Sequence, residues 1–316
     1  MNTSRNIASA ALLICTYRRP QTFSRLIETV AALDMPPGVA FEVVIADNNP
    51  ESAWKAYVAD ATACLSCPVH YGHEPIAGYS SARNKAIALA LAETHADVFL
   101  FTDDDMILDP GWFAAHIRSL DELRADVVNG RIHGVRERFP HGAIIEKCGA
   151  GNVSFRRRLV DPSGLGLTFD PAFNKLGMED QAFFREAGRR GAVLRQSDWP
   201  LLYNYYGDDP VPEEEVINKM HTTGAMQHNE VALARRDRGL PVAVMLASKG
   251  FVFGAKCLGL RLQSQLWTVL GKTDRARRLA LSSEKEALKM RGRFSGLSGE
   301  IVSRQDVRRT DPTAGA

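Results

Sequence analysis

Three aspartates stand together in "LFTDDDMILDPGWF", residues 100–113. Adjacent carboxylates repel unless something positive lies between them, yet the triplet follows an apolar run directly. In an extended segment alternate side chains share a face, so Asp103 and Asp105 are expected on one side and Asp104 on the other. Two carboxylates on one side suit a divalent cation: magnesium takes one or two protein carboxylates and completes its shell with water and phosphate oxygens. A solvated acidic turn is the competing reading of the triplet alone, and the strand before it tilts the choice towards metal. A second acidic pair, Glu179 and Asp180, follows Gly177 and precedes an apolar helical face of Phe183, Phe184 and Ala187. Carboxylates in a first helical turn are favoured by the helix dipole. Beside an acidic metal site, such a carboxylate also qualifies as a general base.

The elements that must position these residues are legible as alternating strands and helices. "SAALLICTY" is a strand; "PQTFSRLIETVAAL" opens on Pro20 and places Phe23, Leu26, Ile27, Val30 and Leu33 on one helical face. "FEVVIADNN" is a second strand, a helix is predicted from about Ser52, and a short strand lies around Val69–Tyr71. "SSARNKAIALALAE" is a helix with a serine cap, and "ADVFLFTDDD" a fourth strand. Repeated strand, loop and helix units predict an α/β fold with a mainly parallel sheet covered by helices on both faces. Ligands bind at the carboxyl ends of such strands. The unusual polar residues fall there: Thr16, Tyr17, Arg18 and Arg19; Asp47, Asn48 and Asn49; and the aspartate triplet.

The 316 residues carry 39 Lys and Arg against 37 Asp and Glu, so no global field argues for nucleic acid as a partner. The N-terminal apolar stretch is too short for a signal peptide, and five cysteines without framework spacing fit a reducing compartment. A cytoplasmic protein is therefore expected. Cys64, Cys67, His70 and His73 offer four zinc ligands, but "PVHYGHE" alternates like a strand and sends neighbours to opposite faces, so no zinc is expected.

The order "LLICTYRRP", "FEVVIADNNPES", "GYSSARNKAI", "DVFLFTDDDMILDPGWF", "GAGNVSFRR" and "FDPAFNKLGMEDQAFFREAGRRG" resembles family 2 glycosyltransferases of the GT-A fold, over about two-thirds of the chain. The resemblance implies a GT-A nucleotide-binding sheet and inverting transfer of a sugar from a nucleotide diphosphate donor, UDP favoured, to a glycan or lipid-linked acceptor. It sets the nucleotide against Thr16, Tyr17 and Arg18, against Asp47 and Asn48, and against Asp103 and Asp104. Arg83 falls at the diphosphate edge, where a guanidinium grips phosphate oxygens through paired hydrogen bonds. Asp103 and Asp105 match the DxD motif and imply Mg²⁺ or Mn²⁺; Asp180 matches the catalytic base with Glu179 beside it; Gly151 and Asn152 fall in the segment lining the sugar pocket. Many relatives carry a histidine where this chain has "WPLLYNYYGDDPVPEEEV". Asn204, Asp208, Asp209 and His221 are the local candidates for a third metal ligand.

Residues 1–235 are read as the transferase domain, 236–300 as a helical C-terminal extension and 301–316 as a disordered tail. "VAVMLASKGFVFGAKCLGL", residues 242–260, is interrupted by Lys249 and Lys256, each costing about 2.5–3.5 kcal/mol near a bilayer centre. It reads either as a helix lying in an anionic membrane interface or as a hairpin packed on the catalytic domain. Two rivals to transfer remain: a phosphatase with Asp103 as nucleophile and Asp105 as acid, and a non-catalytic subunit that binds nucleotide sugar.

Overall fold

The computed structural model describes residues 7–50, 54–135, 139–174, 177–205, 223, 226–235, 239–270 and 272–298. The chain divides into two compact units, Met1–Asn174 with Glu179–Asp209, and Lys175–Met178 with Pro210–Ala316. Among the described residues β8 (Leu194–Asn204) is the last strand of the sheet, and it belongs to the first unit. The expected tail, 301–316, lies outside the described residues.

In the first unit, β1 (Ser9–Thr16), β2 (Ala40–Asp47), β3 (Val69–His73) and β4 (Val98–Asp103) pair in parallel. The sheet continues through β5 (Met106–Leu108), β6 (Val127–Ile132), β7 (Asn152–Arg156) and β8 in the spatial order β3-β2-β1-β4-β7-β6-β8-β5. The far half is mixed: β7 runs antiparallel to β4 and β6, β5 antiparallel to β8, and β6 parallel to β8. Alternate residues of β1 enter different cores, Leu12 and Ile14 one, Ala11 and Leu13 the other. A strand buried on both faces has no polar alternation, which is why "ALLIC" reads as one apolar run.

Helices cover both sides. Proline at the first position of α1 (Pro20–Ala31) suits a helix start, and Phe23, Leu26, Ile27 and Val30 make its buried face. This face and that of α4 (Trp112–Glu122) share a core with Val43, Ile45, Leu100 and Trp112. On the opposite side α3 (Tyr79–Glu93) buries Ala82, Ala86 and Ala90, and α5 (Glu179–Arg189) brings Phe183 and Phe184 against Phe155 and Phe169. The helix α2 (Trp54–Thr62) joins β2 to β3.

In the second unit, α6 (Leu240–Val269) and α7 (Thr273–Ser295) form an antiparallel hairpin. Its contacts run along the whole length: Ser264 Oγ donates to the Ala276 carbonyl at 2.8 Å, Cys257 Sγ meets Ser283 Oγ at 3.4 Å, and the Phe251 and Phe294 rings lie 5.1 Å apart.

Candidate active site

The parallel register sets four strand ends level: Thr16 lies opposite Asp47, Asp47 opposite His73, and Cys15 opposite Asp103. The loops after β1, β2 and β4 therefore leave the sheet together and bond to one another. Thr16 Oγ1 donates to Asp104 Oδ2 at 3.0 Å, the Tyr17 amide to the same oxygen at 3.3 Å, and the Arg18 amide to Asn49 Oδ1 at 2.8 Å. Arg18 holds φ at 53°, a left-handed conformation that a non-glycine residue adopts at a cost of about 1–2 kcal/mol.

The triplet departs from simple alternation because β4 ends at Asp103 and residues 104 and 105 form a turn. Arg19 takes both turn carboxylates on one nitrogen, Nη1, at 3.0 Å from Asp104 and 2.8 Å from Asp105. Asp103 turns instead to Arg83 Nη2 at 3.4 Å. The opening puzzle of three adjacent carboxylates is thus answered by two arginines. Burial pushes the Asp104 carboxyl up to about 6, against the pull of Arg19.

Arg83 is itself buried and donates through Nη1 to Glu179 Oε1, with its guanidinium 5.7 Å from the Phe169 ring centre. Asp103 and Glu179, 76 positions apart in sequence, so share one cation. Next to Glu179, Asp180 accepts from the Ala150 amide at 3.1 Å on one oxygen and from the Gln181 amide at 2.6 Å on the other. Burial pushes its carboxyl up, while Arg83 and those amides pull the other way.

Several residues expected to meet ligand are buried and hydrogen-bonded within the protein. Asp47 accepts from the Asn49 amide and side chain on one oxygen and from the Tyr71 hydroxyl on the other. Asn48 donates to the Glu74 and Ile76 carbonyls and accepts from the Gly78 amide. These two frame the loops, as do Thr16 and Asp104, while Tyr17 and Arg18 are exposed. Gly151 and Asn152 part in the same way. A methyl placed on Gly151 would lie 2.8 Å from Asp103 Oδ2, so this glycine keeps the carboxylate's space clear. Asn152 points into the core, where its oxygen accepts from Trp112 Nε1 at 2.8 Å and His116 Nε2 at 2.9 Å and its amide donates to the Arg131 and Pro200 carbonyls.

Asn174 and the Trp112–His116 pair are the participants that sequence reasoning missed, and Arg19, placed among the strand-end residues, was given no partner there. Asn174 fastens the start of α3, accepting from the Tyr79 amide on its carbonyl and from the Ser81 amide on Oδ1. Trp112 and His116, four apart on a buried helical face, are the one pair whose spacing carried a signal. His70 pairs with Glu42 and His73 donates to the Asn49 carbonyl, so these ring nitrogens serve the protein itself.

Among the described residues no three His, Cys, Asp or Glu side chains form a metal-binding group. The part-exposed carboxylates of Asp103 and Asp105 fit a cation that takes one or two protein ligands and draws the rest from water and phosphate. Asn204 lies beside the triplet, paired with Met106, and the next amide, Tyr205, donates to the Asp105 carbonyl at 2.8 Å. Asp208, Asp209 and His221 lie outside the described residues.

A mixed sheet whose parallel half ends in an acidic turn, flanked by helices and followed by C-terminal helices, is the GT-A architecture of glycosyltransferases, and solved structures share it. TarS of S. aureus aligns with a TM-score of 0.50 and 18% identity over 70% of this chain, which spans 40% of that one. Its 1–349 fragment aligns at 0.50 and 15% over 86% and 90% of the two chains. GalNAc-T7, crystallised with UDP, GalNAc and Mn²⁺, aligns at 0.52 and 13% over 64% of this chain and 44% of its own. The chain belongs to glycosyl transferase family 2, whose model matches residues 11–170, half of its length. It is also 25% identical over 257 residues to the succinoglycan biosynthesis protein ExoM of Rhizobium meliloti (strain 1021), covering 75% of this chain and 79% of that protein.

Proposed function

We propose that the protein is a metal-dependent inverting glycosyltransferase that moves a sugar from a UDP-sugar to a hydroxyl of a glycan or lipid-linked acceptor, in the synthesis of a surface polysaccharide or glycolipid. The observation that carries this reading is Arg83, which gathers the Asp103 and Glu179–Asp180 motifs around one buried cation. UDP is favoured because both TarS 1–349 and GalNAc-T7 have been crystallised with it, and a polysaccharide product because of the ExoM relative. Five free cysteines suit a reducing cytoplasm.

The nucleotide lies against Tyr17 and Arg18, on a loop that Thr16, Asp47, Asn48 and Asp104 hold in shape. The sugar lies beside Gly151, and the diphosphate beside Asp103 and Arg83. A bound Mg²⁺ or Mn²⁺, held by Asp103 and Asp105, supplies Lewis-acid stabilisation of the charge on the departing diphosphate. The acceptor oxygen attacks the anomeric carbon, the bond from that carbon to the diphosphate oxygen breaks, and its electron pair leaves with UDP. Asp180 takes the acceptor proton. Burial makes its carboxylate a stronger base than an exposed aspartate, and two backbone amides fix its direction. Attack from the face opposite the leaving group inverts the anomeric configuration.

A thermal-shift screen of UDP, GDP, dTDP and CMP with and without Mn²⁺ tests the donor class, since a ligand that binds only the folded state raises the melting point. A shift requiring both UDP and Mn²⁺ is expected. NMR of the first-formed product then reads the anomer. Retained configuration, phosphate release from nucleotide-free phosphomonoesters, or donor binding without turnover against any acceptor would each overturn this reading.

A further inference from the structure

The helix α6 buries Ala243, Ala247, Gly250 and Cys257 towards the hairpin and turns a different set of side chains outward. Leu240, Val244, Phe251, Leu258, Leu262 and Leu266 recur at intervals of four or seven, and each is at least half exposed. Met245 and Val252 widen this stripe, at 59% and 67% exposure. Lys249 and Lys256 sit three or four positions from Val252, along one edge. A row of large apolar side chains on one face of a 30-residue helix is far beyond the scattered apolar exposure of a soluble surface.

Charge identifies what covers it. Residues 240–298 carry 11 Lys and Arg against 3 Asp and Glu, whereas the rest of the chain carries 28 against 34. Positive charge is concentrated on the unit that bears the apolar stripe, the combination that binds anionic lipid through acyl contact and headgroup attraction together. We propose that the α6–α7 hairpin is a membrane-docking device whose α6 stripe lies in the plane of an anionic bilayer.

Orientation follows from the pairing. By length and composition alone, Ala243–Thr268 suffices to cross a bilayer. However, α7 runs along α6 from Ala276 beside Ser264 to Phe294 beside Phe251, and it carries Arg275, Arg277, Arg278, Lys285, Lys289, Arg291 and Arg293. A spanning α6 would draw those charges through hydrocarbon. Lying flat, α6 sinks its stripe while α7 stays in water. Lys256 and Lys289 both pair with Glu286, which ties the hairpin's basic edge to its second helix.

Vesicle flotation of the full-length chain tests this independently of sugar transfer. Binding is expected to phosphatidylcholine vesicles holding roughly 30 mol% phosphatidylglycerol, with little to phosphatidylcholine alone, and with release in high salt. Replacing Lys249→Ala should weaken binding about fivefold. The combined Val252→Ser, Leu258→Ser and Leu262→Ser variant, altered only at exposed positions, should lose it by more than about a hundredfold. The melting temperature and the UDP-dependent thermal shift should stay at wild-type values in every variant. Absence of flotation with anionic vesicles, wild-type flotation of the serine variant, or retention after an alkaline carbonate wash would overturn the inference. So would a dimer in sedimentation velocity that the serine variant dissolves, since a second copy would then be the occupant. Docking without any transferase activity would leave this inference standing and remove the other.

Discussion

Replacing Gly151 by alanine should cost activity without costing stability. The added methyl would lie 2.8 Å from Asp103 Oδ2, whereas ordinary contact begins at 3.4 Å, so that oxygen must retreat by about 0.6 Å. Asp103 is held by one long 3.4 Å contact to Arg83 and its side chain is 44% exposed, so it can rotate away freely. The folding free energy should change by less than about 0.5 kcal/mol, as for most surface substitutions. In the proposed mechanism Asp103 would help hold the cation that stabilises the leaving diphosphate. A misplacement of about 1 Å at a reacting centre costs on the order of a hundredfold, so kcat/KM should fall by about 10- to 100-fold. Initial rates of UDP release at varied donor and Mn²⁺, beside a urea denaturation curve, separate the two quantities. Gly149→Ala is the internal comparison, because its methyl would stand 3.4 Å from Asp180 Oδ2 and meet only ordinary contact. Full activity in Gly151→Ala, or equal losses in both variants, would refute the assignment of Asp103.

Asp180→Asn should lower kcat by about 10²–10⁴-fold, the range of general-base assistance, with the UDP-dependent thermal shift retained. An unchanged rate removes Asp180 from that role. Arg83→Ala leaves the Glu179 carboxylate buried without its cation and should destabilise by about 3–5 kcal/mol in urea; adding Glu179→Gln should restore most of that, and no restoration would show that the ion pair is not the cause. His116 donates from Nε2 to Asn152 while its buried Nδ1 has no partner among the described residues, so burial holds the ring neutral, with its pKa lowered from 6.5 to about 3. Its contribution is complete above about pH 6.5 and is lost as pH falls towards 3, by about 1.4 kcal/mol per unit. Between pH 7.5 and 5, His116→Gln should therefore lose about 2 kcal/mol less stability than wild type; parallel curves would disprove the assignment.

The parallel half of the sheet was readable because each of its strands is an apolar run closed by polar turn residues, with a helical stripe between runs. The family resemblance pointed to the same residues at the strand ends. What the local pattern does not carry is the direction of individual side chains once regular structure stops. Asp105 keeps a strand's alternation on paper, but the chain turns after Asp103, and Arg19 gathers Asp104 and Asp105 together. Asn152 stands beside Gly151 in sequence, yet the alternation of β7 sends it inward to Trp112 and His116. Arg19 follows Arg18 with nothing in "TYRRP" to say which of them meets the triplet. The antiparallel return of β7 onto β4 joins positions fifty or more residues apart, and no periodicity within either strand announces it.

The level strand ends carry a consequence for how such a chain can vary. Thr16, Asp47 and Asp103 begin their loops at one height only because β1 is matched residue by residue to β2 and to β4. One inserted residue within β1 would slide a whole rank of neighbours out of step and exchange its two buried faces. Residues added in the surface crossings, such as that between α2 and β3, would leave the rank untouched. Tolerance to length change should therefore be banded along the sequence, narrow in four short apolar windows and wide between them, and a scan of single-codon insertions would trace those bands as a map of the sheet's edge.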